Sequence, residues 1–91
     1  MVNNLNTQIH NLFEELIALL SAESKVDSYN AQFLKYVQER QDFIKQNNDR
    51  PQVIEVIRGI NRYSDEFSFT DINTKKIKTL TEALYDLANH I

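Results

Sequence analysis

The chain of 91 residues contains no cysteine, one glycine and one proline, and each of these counts restricts the possible structures. Without cysteine, disulfide bonds and thiolate metal sites are excluded, and a reducing compartment suits the composition. A single glycine excludes the usual glycine-rich phosphate-binding loops. Because glycine and proline mark turns, their scarcity argues against many short strands and favours a few helices joined by brief connections.

The chain also lacks an excess of positive charge and any long apolar run. Ten Lys and Arg against thirteen Asp and Glu give a net charge of −3, with both signs scattered along the sequence. This pattern offers no basic face for nucleic acid. No apolar run approaches membrane-spanning length, and the first residues lack the basic charges of a secretory signal, so we expect a cytoplasmic protein. A hydrophobic fraction of 42% argues against disorder.

The most regular helical pattern lies in residues 70–91. Thr70 is a suitable N-cap, and the carboxylate of Asp71 suits the first turn because the helix dipole favours negative charge there. Apolar residues recur at three- and four-residue steps and therefore share one face: Ile77, Leu80, Leu84, Leu87 and Ile91. We predict a helix that is capped by Thr70 and packed first against residues 51–63, with the last residue inside the helix or just after its end.

Three further helices are predicted upstream, over residues 4–20, 28–46 and 51–64. The polar block Ser21–Ser28 is predicted to be a loop that ends in a cap at Asp27 or Ser28. Pro51 suits the first turn of the third helix, with Asn48 or Asp49 as its cap. The residues predicted to face the core are Leu5, Ile9, Leu12, Phe13, Leu16, Ile17 and Leu20, then Tyr29, Phe33, Tyr36, Val37, Phe43 and Ile44, then Val53, Ile54, Val56, Ile57, Ile60 and Tyr63.

Four helices with short connections predict an all-α fold, an antiparallel four-helix bundle in a single domain over residues 1–91. Gly59 inside the third helix indicates a kink or the close approach of a neighbour, since glycine costs up to about 1 kcal/mol there relative to alanine. At least one of Phe67 and Phe69 is expected to close one end of the core. Arg40 is expected to pack its stem and extend its guanidinium to water or a carboxylate.

No arrangement of side chains indicates catalysis. His10 and His90 are far apart in sequence and lack supporting ligands, so neither predicts a metal site. The carboxylate pairs Glu14–Glu15 and Asp65–Glu66 are adjacent, and adjacent helical residues do not face each other. We therefore expect no catalytic, cofactor-binding or metal-binding residues and no enzymatic activity.

A surface remains as the candidate functional feature. Basic residues occupy outer positions of the last two helices, and an aromatic residue lies at the edge of the final apolar stripe. Together they predict a partner-binding face on the two helices. The candidate residues are Arg58, Arg62, Lys75, Lys78 and Tyr85.

The order and spacing of these segments resemble the immunity proteins for pediocin-like (class IIa) bacteriocins, of the enterocin A immunity type. The matching segments cover roughly residues 7–88, with low specificity at each position. They are the leucine-rich QIHNLFEELIALL, the polar link and second helix SKVDSYNAQFLKYVQ, the proline-started PQVIEVIRGINRY, the linker EFSFT and the final IKTLTEALYDLA.

The resemblance implies a cytoplasmic antiparallel bundle that protects a producer cell from its own bacteriocin. In that family the protein recognises the membrane permease of the mannose phosphotransferase system when the bacteriocin is engaged with it. It acts at the inner face of the membrane, peripherally at most. Specificity is associated with the C-terminal half, here residues 51–91. Neither nucleic acid nor a small-molecule substrate is implied.

Two other classes remain open. A small helical enzyme of chorismate mutase type needs cations to hold a dicarboxylate, including one from the first helix. The first basic residue here is Lys25, after the predicted end of that helix. A generic helical adaptor needs no motif at all. The neighbouring reading frame would discriminate these classes, because an immunity gene is expected next to a gene for a short secreted peptide.

Overall fold

The structure, a computed structural model, describes the backbone of residues 4–90 and the side chains of residues 6–90. These residues form four helices, α1 (Asn4–Val26), α2 (Ala31–Gln46), α3 (Arg50–Ser64) and α4 (Asp71–Ala88), and a short 3-10 turn at Ser28–Asn30 precedes α2. There is no strand in this part of the chain, so the predicted all-α class is confirmed. None of the described helices is both long enough and apolar enough to cross a membrane.

Each helix buries one face in a common hydrophobic core. α1 packs against α2 and α4, and α3 packs against the same two helices. The predicted stripes supply most of the buried side chains because their three- and four-residue spacing places them on one side of each helix. The fully enclosed members include Ile9, Phe13, Leu16, Leu20, Phe33, Val37, Ile57, Ile60 and Leu84. Leu5 and Ile91, also predicted to face the core, have side chains outside the described residues.

α1 is longer than predicted, and the expectation of a loop over residues 21–28 was wrong for its first six residues. The helix continues through Val26 because Glu23, although polar, is 2% exposed and bonded to the start of α4. The predicted cap is present at Asp27, directly after the end of α1. Its carboxylate accepts a hydrogen bond of 3.0 Å from the backbone N–H of Tyr29 and starts the 3-10 turn.

α2 provides fewer core aromatics than predicted. Phe33 is buried and Tyr36 is half-buried, but Tyr29 and Phe43 are 50% and 39% exposed. Phe43 is exposed because the buried face of the last turns of α2 is formed by Gln41 and Ile44 instead. The amide of Gln41 donates a hydrogen bond of 3.2 Å to the carboxylate of Glu14 on α1, which satisfies part of this buried polar group.

The guanidinium of Arg40 lies over the ring of Tyr36, 4.8 Å from its centroid. The stem of Arg40 is half-buried, as expected for a long basic side chain that covers apolar surface. Its charged end therefore contacts an aromatic face, which attracts cations, rather than the carboxylate that we considered.

α3 begins at Arg50, with Pro51 in its first turn, where a missing N–H is no loss. Asp49 occupies the N-cap position but its side chain makes no capping hydrogen bond. Gly59 marks a close approach, as predicted: a Cβ at this position would lie 2.7 Å from the hydroxyl oxygen of Tyr36. Glycine therefore leaves room for the tyrosine of the neighbouring helix.

The linker between α3 and α4 closes one end of the core, as expected. Phe67 is 8% exposed, and its ring stacks on that of Phe33 at a centroid distance of 5.1 Å. It meets the ring of Tyr63 edge-on at 4.9 Å. Phe69 is half-buried against the same group, 6.3 Å from Phe33. Such offset and edge-to-face pairs add to the free energy gained from burial.

α4 ends at Ala88, in agreement with the expectation that the last residue lies inside this helix or just after its end. Thr70 is at the N-cap position as predicted, but its hydroxyl makes no capping bond to the helix. It donates instead to the carboxylate of Glu23, at 2.6 Å. Ala88, which was not predicted, completes the buried face of the last turn.

Candidate functional site

A groove of about 640 Å³ runs between α3 and α4. Four of the five predicted partner-binding residues line it: Arg58, Arg62, Lys78 and Tyr85. The remaining candidate, Lys75, lies outside this groove and lines a second depression between α1 and α4. The structure thus brings together cations from two helices that sequence spacing alone does not place side by side.

The packing of α3 determines where its two arginines point. Val53, Val56, Ile57 and Ile60 are buried, so the opposite side of the helix faces solvent. Arg58 and Arg62 lie one turn apart on that side, and both are exposed. Their guanidinium groups therefore form one wall of the groove and offer paired donors to a carboxylate or phosphate.

α4 forms the other wall by the same logic. Ile77 and Leu84 face the core, which leaves Lys78, Glu82 and Tyr85 along the outer side of the helix. Tyr85 is 38% exposed, so its ring is partly packed while its edge stays accessible. Aromatic residues that are accessible in this way are common at the centres of protein interfaces.

Polar contacts below the groove hold its two walls together. The amide nitrogen of Asn61 on α3 donates to the carbonyl oxygen of Thr81 on α4 at 3.0 Å and to that of Ile57 at 3.2 Å. The hydroxyl of Thr81, itself 4% exposed, donates to the carbonyl oxygen of Lys78 at 3.0 Å. These bonds fix the register of α3 against α4 and hence the spacing of the cations above them.

The electrostatics of the groove favour a negatively charged partner. The charged side-chain groups of Arg58, Arg62 and Lys78 form no hydrogen bond or ion pair with any other described residue. Asp65 and Glu82 also line the groove, which leaves its wall with one net positive charge on a chain of net charge −3. Unpaired cations beside the apolar side chains of Phe69 and Ile77 can bind a surface that combines carboxylates with apolar groups.

The sequence analysis did not assign Asn61, Asp65 or Glu82 to this surface, although all three line the groove. Asp65 was considered only as part of an adjacent carboxylate pair, and Glu82 was given no role. Nothing in the spacing of Asn61 identifies its partner, because the carbonyl it binds lies 20 residues away. Only the packing of α3 against α4 shows their common location.

The two histidines lie away from this groove. His10 is half-buried, and its Nδ1 atom has no hydrogen-bond partner among the described residues. Burial and the positive charge of Lys45 lower the pKa of His10, and the opposing effect of Glu14 is smaller. His90 is exposed, with its Nδ1 atom 2.7 Å from the carbonyl oxygen of Asp86. Within residues 4–90 no three acidic or histidine side chains come close enough to hold a metal ion.

Comparisons of the chain with protein-family models, curated proteins and solved structures find no match.

Proposed function

We propose that this chain is a non-enzymatic immunity protein for a pediocin-like bacteriocin, acting in the cytoplasm on the bacteriocin-engaged permease of the mannose phosphotransferase system. The observation that carries the proposal is the α3–α4 groove, in which Arg58, Arg62, Lys78 and Tyr85 form one surface. Both walls belong to the C-terminal half, with which the family resemblance associates specificity. The groove is the contact surface for the partner in this proposal.

The antiparallel four-helix arrangement of that family is part of the proposal. Two contacts support it, because each joins the beginning of one helix to the end of a helix that packs against it. Glu23 near the end of α1 bonds to Thr70 at the start of α4, and Phe33 at the start of α2 contacts Tyr63 at the end of α3. The short connections also favour antiparallel neighbours.

The charge pattern of the groove defines the chemistry of the partner surface. A complementary surface carries carboxylates opposite the three cations and an apolar or aromatic side chain opposite Tyr85 and Phe69. Charge complementarity acts mainly on the rate of encounter and on the choice of partner. In this proposal the three groove cations are therefore dispensable for folding and required for recognition of the partner.

The test is protection of a bacteriocin-sensitive cell that expresses the protein. The wild type should raise resistance to a narrow set of pediocin-like peptides. The variant Arg58→Glu/Arg62→Glu/Lys78→Glu changes the groove wall from one net positive charge to five net negative charges. It should fold, since all three side chains are exposed, and it should lose protection.

A matched control makes the same change in charge elsewhere. Lys35→Glu/Lys45→Glu/Arg50→Glu alters three exposed cations that do not line the groove, and it should keep protection. Resistance that survives in the folded groove variant would remove the groove from the mechanism. If the wild type protects against none of the pediocin-like peptides, and the purified protein instead rearranges chorismate, the enzyme class replaces the immunity class.

A further inference from the structure

A strip of six aliphatic side chains follows the seam between α1 and α4, separate from the α3–α4 groove. Four of them are exposed, whereas Leu19 is half-buried and Leu80 is 9% exposed. On α1 its members recur at three- and four-residue steps, so they share one face of the helix. Val26 and Ile72 have the largest exposed fractions of the large hydrophobic residues described, 71% and 75%. The members of this strip, which we call the α1–α4 strip, are Ala18, Leu19, Ala22 and Val26 of α1 with Ile72 and Leu80 of α4.

Val26 on α1 and Ile72 on α4 lie at the same end of the molecule. The carboxylate of Glu23 accepts hydrogen bonds from Thr70 and from Asn73, which places the last turn of α1 beside the first turn of α4. Val26 follows Glu23 by three residues, and Ile72 lies between the two donors. Toward Leu19 and Leu80 the strip forms a shallow depression of about 700 Å³.

Lysine residues border this apolar surface. Lys75 and Lys76 line the depression one turn after Ile72, and Lys25 adjoins Val26. All three are exposed, and none forms an ion pair with a described residue. Acidic residues lie nearby as well: Glu15 lines the far end of the depression, and Asp27 and Asp71 each adjoin one of the exposed aliphatic residues. The carboxylate of Asp27 already accepts the backbone N–H of Tyr29.

We propose that the α1–α4 strip contacts the anionic surface of a lipid bilayer. Exposed aliphatic side chains bordered by lysines are the composition of interfacial helices, in which the apolar groups enter the acyl boundary and the ammonium groups stay among the head groups. The flexible lysine stems allow this separation of apolar stem and charged end. Lys75 and Lys76 supply attraction to anionic head groups, and Val26 and Ile72 supply the inserted apolar surface.

The size of the strip favours a bilayer over a second protein. A stable protein interface usually uses about 20 to 30 residues on each side. The depression between α1 and α4 is lined by only eight residues, and three of these are charged: Lys75, Lys76 and Glu15. A bilayer requires no matched surface, so a few inserted side chains and nearby cations suffice for weak, reversible binding.

The experiment is co-sedimentation of the full chain with vesicles of equimolar phosphatidylglycerol and phosphatidylcholine, compared with phosphatidylcholine alone. Binding should be stronger to the anionic vesicles and should weaken in about 0.5 M KCl, because salt screens the lysines. Lys75→Glu/Lys76→Glu should lower the partition coefficient at least about tenfold. Val26→Ser/Ile72→Ser should lower it about tenfold as well, by removing the inserted groups.

A matched control keeps the same change in net charge. Lys35→Glu/Lys45→Glu, on α2, should bind like the wild type; an equal loss in this control overturns the proposal, because net charge alone would then explain binding. Equal binding to both vesicles, or no binding, also overturns it. So does a wild-type dimer in sedimentation velocity that Val26→Ser/Ile72→Ser abolishes, since a second copy would then cover the strip. Circular dichroism checks that each variant is folded.

The vesicle assay uses the isolated protein and no bacteriocin. Its failure therefore leaves the immunity proposal standing, and a failure of protection in cells leaves vesicle binding standing.

Discussion

Glu23 accepts two hydrogen bonds from Thr70, one from its backbone N–H at 2.7 Å and one from its hydroxyl at 2.6 Å. A third bond, of 2.7 Å, comes from the amide of Asn73. A carboxylate near the end of α1 thus takes the place of a capping side chain at the start of α4. The positive end of the α4 dipole adds a favourable field for this buried charge.

Glu23→Gln should lower the free energy of unfolding by about 2–3 kcal/mol. The substitution keeps the shape but replaces one acceptor oxygen with an NH₂ group, which then faces the donors Thr70 and Asn73. Urea unfolding measures the change. Glu15→Gln, an exposed position on the same helix, is the matched control and should be nearly neutral. Equal effects of the two substitutions would mean that the buried hydrogen bonds contribute little.

The same carboxylate should make stability depend on pH. Burial raises the pKa of Glu23, but the hydrogen bonds from Thr70 and Asn73 outweigh it and hold the pKa below the ordinary value of 4.5. A folded-state pKa below that of the unfolded chain stabilises the fold above the ordinary value, and this contribution is lost as pH falls through the folded pKa.

Urea midpoints measured from neutral pH down through the acid range test this expectation. The wild type should lose more stability below pH 4.5 than Glu23→Gln, which cannot titrate at this position. Parallel curves for the two proteins would show that other carboxyl groups cause the acid sensitivity.

Local spacing was sufficient to predict α3 and α4 but not the length of α1. The stripe of Ile77, Leu80 and Leu84 identifies its own buried face, since each member needs only its helical neighbours. Glu23 gives no such signal, because its partners lie 47 and 50 residues away in the chain. The mostly polar residues 21–26 therefore resemble a loop in sequence, although the buried carboxylate among them is hydrogen-bonded to distant donors.

The α3–α4 groove was predictable only in the part that depends on spacing within one helix. The four-residue step from Arg58 to Arg62 places them on one face of a helix, whatever that helix packs against. Their meeting with Lys78 depends on the register of α3 against α4, which the bond from Asn61 to Thr81 helps to fix. Lys75 separates from this group because α4 presents it toward α1 instead.

Gly59 allows a prediction that depends on its neighbour. In the wild type, Gly59→Ala should give no gain in stability, because its Cβ would lie 2.7 Å from the hydroxyl of Tyr36. The tyrosine has little freedom to move, since its ring contacts that of Tyr63 at 4.7 Å and the guanidinium of Arg40 at 4.8 Å. In a Tyr36→Phe background the hydroxyl is gone, and Gly59→Ala should stabilise the helix by about 0.5–1 kcal/mol.

A double-mutant cycle in urea measures this coupling. The two single substitutions and the double variant are compared with the wild type under one set of conditions. Equal effects of Gly59→Ala in both backgrounds would mean that the tyrosine hydroxyl does not require glycine at this position.

The facing of α4 can be tested by two charged substitutions on opposite sides. Leu84 is fully buried, so Leu84→Asp places an unpaired carboxylate in the core. Its cost should exceed about 4 kcal/mol, a large part of the 5–15 kcal/mol that stabilises a typical domain. Circular dichroism should therefore show a chain that is largely unfolded or melts far below the wild type. Lys75→Glu alters an exposed residue and should change stability by no more than about 0.5 kcal/mol. If the two variants have equal urea midpoints, α4 does not bury the face that contains Leu84. The residues that α4 contributes to the groove with α3 would then be different ones.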